Sequence, residues 1–211
     1  MYSHVDCKGV FLQNKLDQLF NQTENGFFIE LGANNGLFQS NTAFLEFERN
    51  WKGILIEPSV KGYNECNINR PNSICVNCAC VSDDFKDEFI YGDFEDGNAM
   101  ASINGMRTQS NELCKVKVLT LEHILDEYNI KNIDFLSLDT EGYELEILKG
   151  LNLDKYTPKY MLIEIYDKDF NDILQFLISK KYKLHSNFTN YNKQDNPCWD
   201  GSHNDYLFIY E

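Results

Sequence analysis

The residues able to do chemistry gather where short apolar runs stop. Gly26–Leu31 leads into Glu30-Leu-Gly-Ala-Asn-Asn-Gly36, where Gly32 and Gly36 let the backbone turn sharply and a ligand approach closely. A pyrophosphate turn would carry G-x-G-x-x-G. This spacing instead suits a ligand without phosphate, and the acid at Glu30 would match a cationic amino-acid tail. A plain strand-to-helix turn is the other reading. Glu57-Pro58 closes the next run, 21 residues after Gly36. In nucleotide-binding sheets an acid at about that separation takes the ribose hydroxyls, and a carboxylate can accept from two of them. The third run ends at Cys78-Ala79, where a base edge would lie. The fourth ends in Asp139-Thr-Glu-Gly-Tyr-Glu144, three carboxylates in six residues, and the fifth in Glu164. Asp139 and Glu164 are expected to be neighbours that orient a hydroxyl, remove its proton or share a divalent cation. Two carboxylates are few oxygen ligands for a cation, so no metal is expected. Glu144 also suits a helix start, where the dipole favours negative charge.

The elements that must position these residues alternate. Leu12, Leu16, Leu19 and Phe20 recur at helical spacing within an N-terminal segment, residues 1–24. Strands are predicted at Gly26–Leu31, Gly53–Glu57, Ser73–Cys78, Ile133–Leu138 and Tyr160–Glu164. Helices are predicted at Thr42–Arg49, from a Ser59 cap to Asn69, after a Thr120 cap, at Tyr143–Lys149 before Gly150, and at Phe170–Ser179. Shorter strands are expected at Phe89–Tyr91 and Lys115–Val118, and a closing pair at Tyr182–Leu184 and Tyr206–Tyr210. Strand and helix in alternation predict an α/β domain spanning 1–211, three layers α/β/α around a mostly parallel sheet with an antiparallel C-terminal edge. Ligands then bind beyond the carboxyl ends of the strands, where the strand order reverses.

The chain has 211 residues, 33 acidic and 19 basic, for a net charge of −14. General nucleic-acid binding needs cations on the protein to neutralise phosphates, so no nucleic-acid partner is expected. No run reaches the ~18 apolar residues of a membrane helix, so no membrane insertion is expected. Small neutral acceptors such as sugars remain. Seven cysteines, an odd number, and no signal-peptide core speak against a secreted disulfide framework. Cys75, Cys78 and Cys80 include one C-x-x-C, but no second pair completes a zinc site. Reduced thiols point to a cytoplasmic location, the host's if the AT-rich codon bias behind so many Asn, Lys, Ile and Tyr residues is viral.

Taken in order, Glu30-Leu-Gly-Ala-Asn-Asn-Gly36, Ile56-Glu57-Pro58, the stretch Asp134 to Gly150 with its Asp-x-Glu-Gly-x-Glu core, and Leu162-Ile-Glu164 resemble the FkbM-type methyltransferases. The likeness covers roughly residues 25 to 165, and Asn204-Asp205-Tyr206-Leu207-Phe208 is similar to the family's closing strand. The resemblance implies a Rossmann-like class I methyltransferase fold, S-adenosylmethionine as cofactor, and O-methylation, often of a sugar hydroxyl in a glycan or glycoconjugate, deoxysugars such as rhamnose included. It implies that Glu30, Gly32, Ala33, Asn34 and Gly36 hold the methionine part, Glu57 and Pro58 the ribose side, and Cys78 and Ala79 the adenine. Asp139, also a cofactor contact, Glu141 and Glu164 fall at the methyl-transfer end, with His203 a further catalytic candidate or else a surface-loop histidine. Only Ser102 aligns within the loop Gly92–Met106, the expected substrate loop. Tyr91, Phe94, Tyr166 and Trp199 could stack on a sugar, packing being the alternative.

Rivals leave different traces. A nicotinamide oxidoreductase would show the third glycine and a Tyr-x-x-x-Lys or histidine arrangement, neither of which is found. A nucleic-acid methyltransferase would be less acidic and carry an Asn/Asp-Pro-Pro-aromatic motif. A non-catalytic module of the same fold would bind cofactor or glycan without releasing a methyl group.

Overall fold

The computed structural model describes residues 9–94, 113–195, 197 and 199–211. Ser102 and all of the expected substrate loop beyond Phe94 lie outside them. Five strands form the parallel part of a seven-stranded sheet: β1 (Phe27–Leu31), β2 (Lys52–Ile56), β3 (Ile74–Val76), β7 (Phe135–Leu138) and β8 (Tyr160–Tyr166). Two more, β9 (Tyr182–Asn187) and β10 (His203–Tyr210), complete it, and the spatial order is β3-β2-β1-β7-β8-β10-β9. β10 runs antiparallel to both β8 and β9. The chain builds outward from β1 to β3 and then returns to place β7 on the other side of β1. The reversal therefore falls between β1 and β7, and that crevice is where the sheet can take a ligand. A small second sheet holds β4 (Ala79–Cys80), β6 (Cys114–Leu119) and β5 (Phe89–Gly92) in the order β4-β6-β5.

Side chains alternate across the sheet, and each face is covered. Ile29, Leu31, Leu136, Leu138, Met161, Ile163 and Ile165 face α4 (Leu121–Glu127), α5 (Glu144–Lys149) and α6 (Phe170–Ser179), in one buried cluster with Ile124, Leu148 and Leu177. Phe28, Leu55, Phe135, Leu162 and Leu207 face the other way. They pack against Leu12 and Leu16 of α1 (Gly9–Leu19), Phe44 and Leu45 of α2 (Ala43–Arg49), and Cys66 of α3 (Val60–Asn69). This is the three-layer α/β/α arrangement that the alternating pattern predicts.

The local signals act as expected. Ser59 accepts from the Gly62 amide to cap α3, Thr120 accepts from the His123 amide to cap α4, and Gly150 follows α5. Two expectations change. The third strand is shorter than Ser73–Cys78, because Asn77 turns its amide onto the carbonyls of Glu57 and Pro58. The closing pair is longer than the apolar residues suggest, since β10 begins at His203 and pairs with β8 from its first residue.

Leu136 sits fully buried on β7 at the centre of the larger cluster. Leu136→Ala should cost about 2–5 kcal/mol. Urea unfolding should show a lower midpoint with an unchanged slope.

Candidate active site

At the reversal the tips of β1 and β7 touch. Gly32 has φ +77°, and a Cβ there would lie 1.9 Å from the Asp139 carbonyl oxygen, so no other residue lets the two tips meet this closely. Gly36, φ +80°, answers a different need: a Cβ would come within 2.7 Å of the Arg70 side chain.

The loop between these glycines spends its amides internally. Gly32 and Ala33 donate to the Ile56 carbonyl, Gly36 to that of Ala33, and Asn34 to Glu57 Oε2 at 2.7 Å. Leu37 and Phe38 donate to Asn35 Oδ1. A phosphate cradle presents such amides to its ligand; here they are committed to the protein. Glu30 points to the α1–α3 face of the sheet, with Phe28. It accepts from Ser40 Oγ, the Asn41 amide and Thr42 Oγ1, at 2.6 to 2.8 Å, and lies 3.7 Å from Arg70.

Glu57 follows β2 with both oxygens engaged, Oε2 by Asn34 and Oε1 by the Ser59 amide at 2.8 Å. Burial pushes its carboxyl up to about 7, against the pull of those two amides. Cys78 and Ala79 are buried, Ala79 packing with Phe94 and Val116. Pro58 opens onto a groove of about 590 Å³ shared with Ser59, Val60, Phe94 and Val116.

Across the crevice, register aligns three carboxylates. Leu138 pairs with Ile163, which places Asp139 beside Glu164, and Glu164 pairs directly with Asp205 of β10. One oxygen from each of the three lies within 4.8 Å of the others, a spacing at which they could share a cation or a proton. Asp205 is the member that sequence reasoning missed. Its signal was the period-two alternation His203, Asp205, Leu207, which continues a strand into polar residues. Among the described residues the cysteines form no comparable group.

His203 is not on a surface loop; it is buried, 6% exposed, with Nε2 3.3 Å from Glu164 Oε1. Nδ1 lies 3.0 Å from Ser202 Oγ, and the ring rests against Tyr166 and Tyr191. Trp199 donates to the His203 carbonyl. Tyr166 is buried and donates to Glu141 Oε2 at 2.6 Å, which fixes a glutamate in the left-handed region (φ +58°). Such backbone strain concentrates at functional sites. Glu144 accepts from the Thr140 amide and hydroxyl and the Gly142 amide, as a helix-start acid does, and burial raises its carboxyl to about 7. Phe94 is buried, whereas Tyr91 is exposed on β5.

This sheet order, with its crevice between β1 and β7 and a carboxylate after β2, is that of the class I, S-adenosylmethionine-dependent methyltransferases. Residues 30–184 match the methyltransferase FkbM domain, and the chain belongs to that family. An FkbM methyltransferase from Methylobacillus flagellatus KT superimposes with a TM-score of 0.52 at 16% identity, over 90% of this chain and 44% of that one. This chain thus spans less than half the length of that relative. TrmK of M. capricolum, solved with S-adenosylhomocysteine, gives 0.51 at 12% identity over 93% and 68%. A SAM-dependent methyltransferase from Aquifex aeolicus gives 0.52 at 11% over 98% and 94%. No curated protein matches the chain by sequence.

Because the folded-state carboxyl of Glu57 is raised from 4.5 to about 7, the folded protein keeps a proton that the unfolded chain releases. Its contribution to stability is present in full below about pH 4.5 and is lost as pH rises through 7. Glu57→Gln should flatten that part of the profile. Unfolding midpoints of both proteins between pH 4.5 and 8 provide the check.

Proposed function

We propose that the chain transfers a methyl group from S-adenosylmethionine to a hydroxyl oxygen of a sugar, in a glycan or glycoconjugate. The observation that carries this reading is the row Asp139, Glu164 and Asp205, set across the reversal crevice from the loop Gly32–Gly36. A row of carboxylates accepts hydrogen bonds from hydroxyls and repels phosphates, which favours a neutral, polyhydroxylated acceptor over a nucleic acid.

The residues present fit the donor. The loop's engaged amides suit a ligand end that carries no phosphate, and an ionised Glu57 at the strand tip suits ribose hydroxyls. Ala33, Asn34 and Gly36 complete the loop beneath the methionine part. Glu30 would act there through the loop it holds, not by direct contact. Pro58 and its groove, with the Cys78–Ala79 backbone, would border the adenine.

When bound, the donor supplies a methyl carbon activated by a positively charged sulfur. The chain's task is then to hold an acceptor oxygen in line and take its proton. Asp139 stands at the tip nearest Gly32 and is the base or hydroxyl orienter. Glu164, paired with His203, is the next proton acceptor along the row. Glu141, fixed by Tyr166, borders the acceptor side, and Ser102 is assigned to it through the family likeness alone.

Methyl release from S-adenosylmethionine, assayed against a panel of free sugars and glycosides that includes rhamnosides, tests the reading. Turnover with a hydroxylated sugar is expected. Binding of S-adenosylhomocysteine with no methyl release on any member would favour a non-catalytic module. Asp139→Ala should lower turnover about 10²–10⁴-fold while the protein still binds S-adenosylhomocysteine; unchanged turnover would remove Asp139 from the chemistry. A second expectation follows from Glu57. Affinity for S-adenosylhomocysteine should rise with pH up to about 7 and level off above it, because only the ionised carboxylate accepts from both ribose hydroxyls. Glu57→Gln should abolish that dependence in calorimetric titrations.

A further inference from the structure

The last turn of α3 reaches three successive carbonyls of the loop after β1. Cys66 Sγ lies 3.0 Å from the Asn34 carbonyl, Asn69 Nδ2 donates to that of Asn35 at 2.9 Å, and Arg70 Nη1 donates to that of Gly36 at 2.9 Å. Arg70 is fully buried and goes further. It donates to Ser40 Oγ at 3.1 Å and Thr42 Oγ1 at 3.0 Å, and it is anchored by Glu46 at 2.8 Å. Its guanidinium also lies over the ring of Phe28.

Helix packing alone does not ask for this. A helix end needs its own carbonyls satisfied, and Arg70 already closes α3 with its backbone amide on Cys66. The side chains of Cys66, Asn69 and Arg70 instead reach out to the loop. A fully buried guanidinium needs partners for five N–H donors; Glu46 takes Nε, and it is the loop, through Gly36, Ser40 and Thr42, that takes the Nη donors. The Asn34 amide meanwhile is held by Glu57, which stands just before the first turn of the same helix. The loop is therefore gripped from both ends of α3, on its amide side by Glu57 and on its carbonyl side by the last turn. Gly36 is glycine so that the Arg70 stem can pass beneath it.

We propose that Asn69 and Arg70 are positioning residues for the cofactor. They touch no ligand; they preset the Asn34–Thr42 loop in the shape that receives the methionine part of the donor. Ordering that loop before binding removes a cost that binding would otherwise carry. The inference rests on the proposal that this loop cradles the donor.

The test compares S-adenosylhomocysteine affinity, by calorimetry, with thermal stability in four proteins: wild type, Asn69→Ala, Arg70→Lys and Thr120→Ala. Asn69 is half-buried at a helix end, so its truncation leaves a folded protein. Losing one hydrogen bond corresponds to roughly 2–12-fold, and the dissociation constant of Asn69→Ala is expected to rise by that factor with little change in melting temperature. Arg70→Lys, which keeps the charge but not the fork, is expected to weaken binding about tenfold or more. Thr120→Ala removes the cap of α4, which packs on the other face of the sheet, and serves as the control. It should lower the melting temperature and leave the dissociation constant unchanged. If Asn69→Ala and Arg70→Lys lower stability as the control does but bind as wild type, the positioning role is overturned. If wild type itself fails to bind S-adenosylhomocysteine, the donor reading fails first and this inference falls with it.

Discussion

The cost of holding carboxylates out of water governs this molecule. Glu30, Glu57, Glu141, Glu144, Glu164 and Asp205 are all buried at or near the carboxyl edge of one sheet. An unpaired buried charge is among the most expensive features a protein can carry. The five glutamates among them each meet a specific partner. Glu30 takes a loop amide and two hydroxyls, Glu57 two amides, and Glu144 two amides and a hydroxyl. Glu141 takes the phenol of Tyr166, and Glu164 faces His203. Most of these donors come from the loops that follow β1, β2 and β7, while Tyr166 and His203 come from β8 and β10. Satisfying the carboxylates and shaping the crevice are thus one structural requirement.

Much of this was legible from the chain, because it rests on local rules. Period-two and helical spacing marked the sheet and its helices. Ser59 and Thr120 announced their caps, and the acids after the apolar runs marked the strand tips. What was hidden depends on partners distant in sequence. Glu30 reads as a ligand contact because it precedes Gly32, yet its partners Arg70 and the 40–42 segment are brought beside it only by folding. His203 reads as a loop residue because Ser-His-Asn-Asp is polar. Its burial comes from the β8 pairing that places it opposite Tyr166. Arg70 was invisible for the same reason: a lone arginine after a helix says nothing about the loop beneath it.

The two glycines of the β1 loop show how one spacing can serve two ends. Gly32 permits contact between strand tips, with the Asp139 carbonyl where a Cβ would be. Gly36 makes room for an arginine. A sequence pattern read as a ligand turn is therefore partly a packing requirement. That is why the glycine set of a phosphate cradle is incomplete here. The loop's carbonyls are held from below and its amides from within.

The same bookkeeping bears on what can sit in the crevice. Asp139, Glu164 and Asp205 bring three carboxyl groups within 4.8 Å, and His203 lies beside them, 3.3 Å from Glu164. Such a row relaxes when a positive charge, a proton or hydroxyl donors arrive, and stiffens against any incoming anion. The proposed donor's sulfonium and the proposed hydroxylated acceptor would each reduce that repulsion.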